Sequence, residues 1–405
     1  MATESTNQDL PSLPLPVFLP ISNPAFNFAD EKALADFLNE REKEDPGEIV
    51  ISVVGHGDPE TKKPDGNNYY RSTPLFWKEQ QPISVVKVTE PHKWGDFAEE
   101  HADDFAFLDH TDVILGGDVV EVALLRKYEH PFPKIEEWVP SPDAKPLVDK
   151  ILDIAGSSDL AKHSWWKGQG TAPLGYSKGM ALVFARVYCK LLQGDAVAKE
   201  MARTDFGNPT QDALAYFAQP LAVAGMPKSG DESATLRQLF TVLIGLGMPE
   251  SSGNYWDGKD SNAHNETAET CEAGLFQTSW NARNAGGNAN AKELMLSLFN
   301  QYQTNPEVGM LAVFQEGVKA QRRPNWGTGD GVLFQQLSKA CPAFAAEFTA
   351  VGLRNVRKHW GTIQNDNRGQ GVGLTLVEIQ PKCAAMLKAV QAAVDAQFKI
   401  NPVQV

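Results

Sequence analysis

The chain has 405 residues, 42% of them hydrophobic, and a formal net charge of -14 at pH 7. That is enough apolar material for a large core and for more than one domain. The negative balance repels nucleic acid and anionic membranes, so neither is an expected partner, whereas a neutral or cationic ligand meets no such barrier.

The first residues, Met1-Ala2-Thr3-Glu4-Ser5-Thr6-Asn7-Gln8-Asp9, offer no basic n-region and no apolar h-region, so no secretory signal is expected. No uninterrupted apolar run approaches ~20 residues, so no membrane span is expected either. The expected location is cytoplasmic, or outside the cell by a signal-less route or after a signal has been removed. Residues 1–25 are rich in proline and polar groups and read as an extended leader.

Residues 31–40 carry helical apolar spacing. Residues 48–54 form a β-branched run of buried-strand type that ends at Gly55-His56-Gly57-Asp58. Residues 83–88 predict a second strand, and 113–115 a weaker third. The His-Gly turn after an apolar strand resembles that of caspase-like cysteine proteases. Those enzymes need a cysteine after a second strand, and none precedes Cys189, so a structural turn histidine is expected. His101, Asp103, Asp104, Asp109, His110 and Asp112 gather on residues 99–112. Such a set can hold a metal, but a solvated helix face and loop is the expectation, and no metal or cofactor is assigned.

Residues 139–146 contain Pro140, Pro142 and Pro146 and mark a linker. Beyond it helical patterns dominate, over 146–156, 177–193, 211–224, 232–247, 290–302, 306–318, 331–340, 342–360 and 380–398. The expected fold class is α+β: a small mixed α/β module over 1–140, then a mostly α domain over 141–405. Cys189, Cys271, Cys341 and Cys383 are far apart and form no Cys-x-x-Cys, so free buried thiols are expected in place of a zinc site or a disulfide.

The chemistry concentrates near residue 250. An apolar run over 239–246 leads directly into Gly247-Met248-Pro249-Glu250-Ser251-Ser252-Gly253. A carboxylate at the end of a buried helix, beside a Ser/Gly-rich loop, is placed as a general acid would be. Burial disfavours its charged form, so it can hold a proton near neutral pH. Pro249 removes a helix donor and bends the final turn. Farther along comes Ala273-Gly274-Leu275-Phe276-Gln277-Thr278-Ser279.

A helix ending in Glu-Ser, a loop, and then Gly-Leu-Phe-Gln-Thr-Ser resembles the lysozyme superfamily, and is most similar to its lytic transglycosylase and goose-type lysozyme branch. The resemblance covers residues 232–300. It implies a lysozyme-like α domain with Glu250 as the catalytic acid and Gly274-Leu275-Phe276-Gln277 lining a sugar cleft. Phe276 stands where methionine is usual. The family's Tyr-Asn-Ala-Gly segment is missing, and Asn325-Trp326-Gly327-Thr328-Gly329-Asp330-Gly331 is a candidate to take its place. The implied activity is hydrolysis or transglycosylation of a β-1,4-linked amino-sugar polysaccharide, with peptidoglycan as the first expectation. A chitosan- or chitin-type chain is the alternative substrate. A carbohydrate-binding protein without turnover is the alternative class.

In that setting Ser251 would hold the carboxyl, and the Gln277 amide can both donate to and accept from sugar groups. Tyr255 and Trp256 would stack on pyranose faces, and Ser279 and Trp326 would complete the binding set. An inverting enzyme needs a second carboxylate ~6.5–9.5 Å from the first. Asp257, Asp260, Glu269 and Glu272 are candidates, with Asp260 preferred for its polar surroundings. The bland alternatives are a solvated helix-end Glu250, a Gln277 that caps its own loop and a Trp256 in the core. Trp165, Trp166 and Tyr176 flank a glycine-dense segment and would either edge the cleft or pack at a helix start. That segment lacks the phosphate-loop ending, so no nucleotide is expected. Arg354, Arg357, Lys358, His359 and Trp360 fall on the last part of the 342–360 helix; His359 or Trp360 would reach the site from there, with core packing the expectation for Trp360. The oligomeric state is not legible.

Overall fold

The computed structural model describes, with short gaps, residues 138–360 and 372–399. It also describes residues 27–30, parts of 32–37, and four strands at Ile51–Val53, Pro74–Phe76, Phe105–Leu115 and Asp118–Lys127. The chain divides into two compact units: Met1–Phe97 with Phe107–Lys127, and Ala98–Ala106 with Tyr128–Val405.

In the first unit, β1 (Asn27–Phe28) pairs in parallel with β4 (Phe105–Leu115), Asn27 opposite Ile114 and Phe28 opposite Leu115. β5 (Asp118–Lys127) is the next strand of that sheet. β2 (Ile51–Val53) and β3 (Pro74–Phe76) pair antiparallel, Ser52 opposite Leu75. The helix face expected over 99–112 is corrected: from Phe105 onward the chain is an 11-residue strand that carries Asp109, His110 and Asp112. Extended backbone suits the aromatic and β-branched residues Phe105, Phe107, Thr111, Val113 and Ile114. The leader, the Gly55–Asp58 turn, the 83–88 strand, His101, Asp103 and Asp104 lie outside the described residues.

The described residues of the second unit are predominantly helical. Its helices are α1 (Lys145–Ser157), α2 (Leu174–Leu192), α3 (Ala196–Ala202), α4 (Ala213–Tyr216), α5 (Ala218–Val223), α6 (Glu232–Ser251), α7 (Ala289–Thr304), α8 (Leu311–Phe314), α9 (Asp330–Ala340), α10 (Pro342–Asn355) and α11 (Val372–Phe398). Start signals in the sequence are used. Pro146 and Pro342 sit in first turns, where no N–H is needed. The side chains of Asp195, Asp212, Asp231 and Asn288 accept from the first-turn N–H groups of α3, α4, α6 and α7.

α6 is apolar on every side from Leu239 to Met248 and accordingly lies at the centre, packed against α2, α3, α10 and α11. Where 306–318 was expected as one helix, a 3-10 turn over Pro306–Gly309 precedes the short α8. Pro306 lacks a donor, Met310 is left-handed at φ 61, and a Cβ on Gly309 would fall 2.5 Å from that of Cys341. The expected 342–360 helix ends at Asn355, and Arg357–His359 form a separate 3-10 turn.

Two buried ionic clusters pin these helices. The Arg354 guanidinium meets the Asp212 carboxylate at 3.0–3.1 Å and also donates to the carbonyls of Met201 and Arg203, both at 2.8 Å. The Glu347 carboxylate takes Lys190 at 2.8 Å, Arg186 at 3.2 Å and the Tyr302 hydroxyl at 3.0 Å. Burial by itself would raise the Glu347 pKa; the charges of Lys190 and Arg186 and the hydrogen bonds from Lys190 and Tyr302 outweigh it and hold the carboxyl below the usual range. All four cysteines are free and buried. Among the described residues no helix is long and apolar enough to cross a membrane.

Candidate functional site

α6 delivers Glu250 in its last turn. The helix stops because Ser252 and Gly253 turn left-handed, at φ 57 and 74, while their N–H groups reach back to Met248 O at 2.9 Å and Gly247 O at 3.1 Å. Pro249 does not end the helix earlier; it sits inside the final turn. That turn rests on Tyr176, whose hydroxyl donates to Ile244 O at 2.8 Å. A Cβ on Gly247 would lie 2.3 Å from the same hydroxyl, so glycine is what lets the ring close in. Burial pushes the Tyr176 pKa well up, and the phenol stays neutral. Glu250 itself is half-buried.

The second motif is a β-hairpin. β6 (Glu272–Ala273) pairs antiparallel with β7 (Thr278–Ser279), so Gly274-Leu275-Phe276-Gln277 forms its tip. Gly274 at φ 75 and Gln277 at φ 43 make the reversal. A Cβ on Gly274 would come 2.9 Å from Ser338 O on α9, so the tip presses against that helix. The Gln277 Nε2 donates to Gly274 O at 3.0 Å, which is the loop-capping role.

The two motifs meet. The Ser251 Oγ–H donates to Leu275 O at 2.8 Å, with a longer contact to Gly247 O at 3.1 Å. Gly274 N–H donates to Asp257 O at 2.9 Å. The end of the glutamate-bearing helix is therefore tied to the tip of the glutamine-bearing hairpin. From the other side, Thr278 and Thr349 of α10 share a hydroxyl contact at 2.9 Å. Ser279 Oγ donates to Asn281 Oδ1 at 2.7 Å and meets His359 Nε2 at 3.0 Å. Burial lowers the His359 pKa.

A third strand of the site is the segment around Asn325–Trp326, held against residues 256–259. Arg323 N–H donates to Trp256 O at 3.3 Å, its Nε pairs with Asp257 at 3.0 Å, and its Nη1 donates to Lys259 O at 3.2 Å. Lys339 on α9 donates to Arg323 O at 2.7 Å and Asn325 Oδ1 at 2.9 Å. Gln335, one turn earlier, exchanges hydrogen bonds with Trp326 N–H at 2.7 Å and Trp326 O at 2.9 Å. The Lys259 ammonium stands 3.4 Å from the centroid of the Trp326 ring.

Several expected roles change. Ser251 spends its hydroxyl on backbone carbonyls, and its role is to join the helix to the hairpin. Tyr255 is buried, only 2% exposed, so it offers no face to a sugar and instead backs the half-buried Trp256 at a 4.3 Å ring separation. Ser279 is buried and bonded within the fold. Trp165 and Tyr176 pack in the core and do not edge a cleft; Trp166 lies outside the described residues. Asp257 is tied to Arg323 and to the Gly258 N–H at 3.0 Å, which suits a loop brace better than a base. Asp260 lies outside the described residues. Arg354 belongs to the buried cluster with Asp212, and Trp360 packs against Gly352 in the core. Arg323, Gln335 and Lys339 were not read as site residues. The last two are four apart on α9, a spacing that places two long polar side chains on one helix face. Among the described residues no three His, Cys, Asp or Glu side chains gather as a metal cage.

No family model matches this chain, and no curated protein or solved structure matches it.

Proposed function

We propose that the helical unit is a lysozyme-like glycosidase that cleaves a β-1,4-linked amino-sugar polysaccharide, peptidoglycan first among the candidates, with Glu250 as general acid. The observation that carries this reading is the tie between Ser251 and Leu275. It joins two motifs 24 residues apart, the pair that in lysozyme-like enzymes supplies the acid and lines the cleft. The half-buried setting of Glu250 fits a group that must deliver a proton to a bridging oxygen. Trp256 follows the end of α6 in sequence and is joined through its carbonyl to Arg323, and Gln277 closes the hairpin tip to which Ser251 is bonded.

With no second carboxylate assigned, a single-glutamate mechanism is the simpler form. Glu250 first protonates the leaving oxygen and then, as carboxylate, accepts a proton from the sugar or from water. The test is digestion of purified peptidoglycan and of chitosan by the wild type and by Glu250→Gln, followed by product masses. A deficit of one water marks intramolecular closure, and its absence marks hydrolysis. Glu250→Gln is expected to lower the rate by ~10²-fold or more. Equal rates for the two proteins refute the assignment. Sugar binding by both with turnover by neither leaves the carbohydrate-binding alternative standing.

A further inference from the structure

We propose that Tyr176 is a positioning residue for Glu250, its ring and hydroxyl holding the last turn of α6 from beneath. The proposal rests on the glycosidase reading above and adds to it a residue that sets the place of the acid without touching substrate. Its ground is the contrast between a turn that is weak by sequence and a tyrosine laid along it. Gly245, Gly247 and Pro249 alternate through the end of α6, and glycine and proline are the two weakest helix formers. Pro249 also has no N–H to give to Gly245, four residues back. Glu250 therefore stands on a turn that its own sequence weakens.

Tyr176 meets the chain on both sides of Glu250. Its Oη–H donates to Ile244 O at 2.8 Å. A Cβ on Gly247 would fall 2.3 Å from the hydroxyl and 2.9 Å from ring atom Cζ, and one on Gly253 would fall 3.1 Å from Cγ. The ring thus runs under the whole turn. Burial keeps the phenol neutral, so the donor stays in place at neutral pH. The tyrosine is anchored in its own right. Gly175 N–H donates to Glu316 O at 2.7 Å. A Cβ on Gly175 would come 2.5 Å from Val313 O, and one on Gly179 would come 2.4 Å from the Phe314 ring, so the start of α2 is seated on α8. In sequence Glu250 lies between two ties, Ile244 to Tyr176 and Ser251 to Leu275.

A general acid works only within hydrogen-bond reach of the bridging oxygen, and a displacement of about 1 Å can lower the rate by about 10²-fold. Loss of the Tyr176 hydroxyl shifts the turn that carries the acid and leaves the sugar-contacting side chains as they are. The signature is therefore a fall in kcat with KM held.

The test uses the full chain, with kcat and KM measured on whichever of peptidoglycan or chitosan the wild type cleaves, and amide exchange read alongside. Tyr176→Phe keeps the ring and removes only the hydroxyl. It is expected to lower kcat by about tenfold or more with KM within about twofold, and to quicken exchange of the Ser252 and Gly253 N–H groups by about two- to tenfold. Tyr302→Phe is the control, because it removes another buried phenol hydroxyl, the one bonded to Glu347. It is expected to lower stability and to leave kcat and the exchange at 252–253 unchanged. A kcat in Tyr176→Phe within about twofold of wild type overturns the proposal, and so does an equal fall in Tyr302→Phe, which would mark a general loss of stability. The glycosidase reading fails separately, when no polysaccharide is cleaved in a Glu250-dependent way. Exchange then decides: quickening confined to residues 252–253 in Tyr176→Phe supports the hold on the turn, and unchanged exchange there overturns it.

Discussion

Replacing Ser251 with alanine removes one hydroxyl and nothing else from the junction between α6 and the hairpin. The side chain is 5% exposed and Leu275 is fully buried, so water cannot take over the lost donor. Leaving a buried carbonyl without its partner costs about 1–3 kcal/mol. Alanine returns up to about 0.5 kcal/mol through its better helix propensity. The net loss is therefore about 0.5–3 kcal/mol, a fall in Tm of roughly 1–5 °C for a unit of this size. The loss should also be local. The hairpin keeps its bonds from Gly274 to Asp257 and from Thr278 to Thr349, so amide exchange should quicken at residues 272–279 before it does in α2 or α11. Ser251→Thr, which retains a hydroxyl, should recover most of the protection. Urea unfolding and amide exchange read the two effects. A Ser251→Ala protein with wild-type stability and unchanged exchange in the hairpin would refute the view that this bond holds the two motifs together.

Asp212→Ala strands the Arg354 guanidinium in the core with backbone carbonyls as its remaining hydrogen-bond acceptors, and is expected to cost about 3–5 kcal/mol in denaturant unfolding; a loss below about 1 kcal/mol would show that the pair is not structural. Glu347 sets an acid limb. Its folded pKa lies below its unfolded value of about 4.3, so the unfolded chain binds the proton first as pH falls. The stability it contributes is complete above that value and is lost as pH drops through the folded pKa. Stability measured from pH 6 down to pH 3 should fall less steeply in Glu347→Gln than in wild type, and an identical slope would count against this assignment.

The sequence exposed the helical unit well, because its helices announce themselves by capping residues and apolar spacing. Asp231 before α6, Asn288 before α7 and the first-turn Pro342 are all local signals. It was less legible where tertiary contact overrides pattern. The segment after Pro306 has helical spacing, yet close packing of Gly309 on Cys341 breaks it into a 3-10 turn and a short helix. The long strand Phe105–Leu115 hides because Asp109, His110 and Asp112 interrupt its apolar residues. At the site, Glu250 and the Gly-Leu-Phe-Gln segment stood out as a pair, and the Ser251 bond joins them. The roles of Ser251, Tyr255 and Ser279 did not show. Each is decided by a partner or a burial set far away in sequence: Leu275 for Ser251, His359 for Ser279, and the core for Tyr255.

The most direct measurement is a crystal structure of the Glu250→Gln protein soaked with a β-1,4-linked amino-sugar oligomer that it binds and does not cleave. A bridging glycosidic oxygen within hydrogen-bond reach of the residue 250 amide, about 2.6–3.2 Å, with the chain running past the hairpin tip, is the expected result. An oligomer bound elsewhere on the molecule, or one whose bridging oxygens all lie far from residue 250, would contradict it.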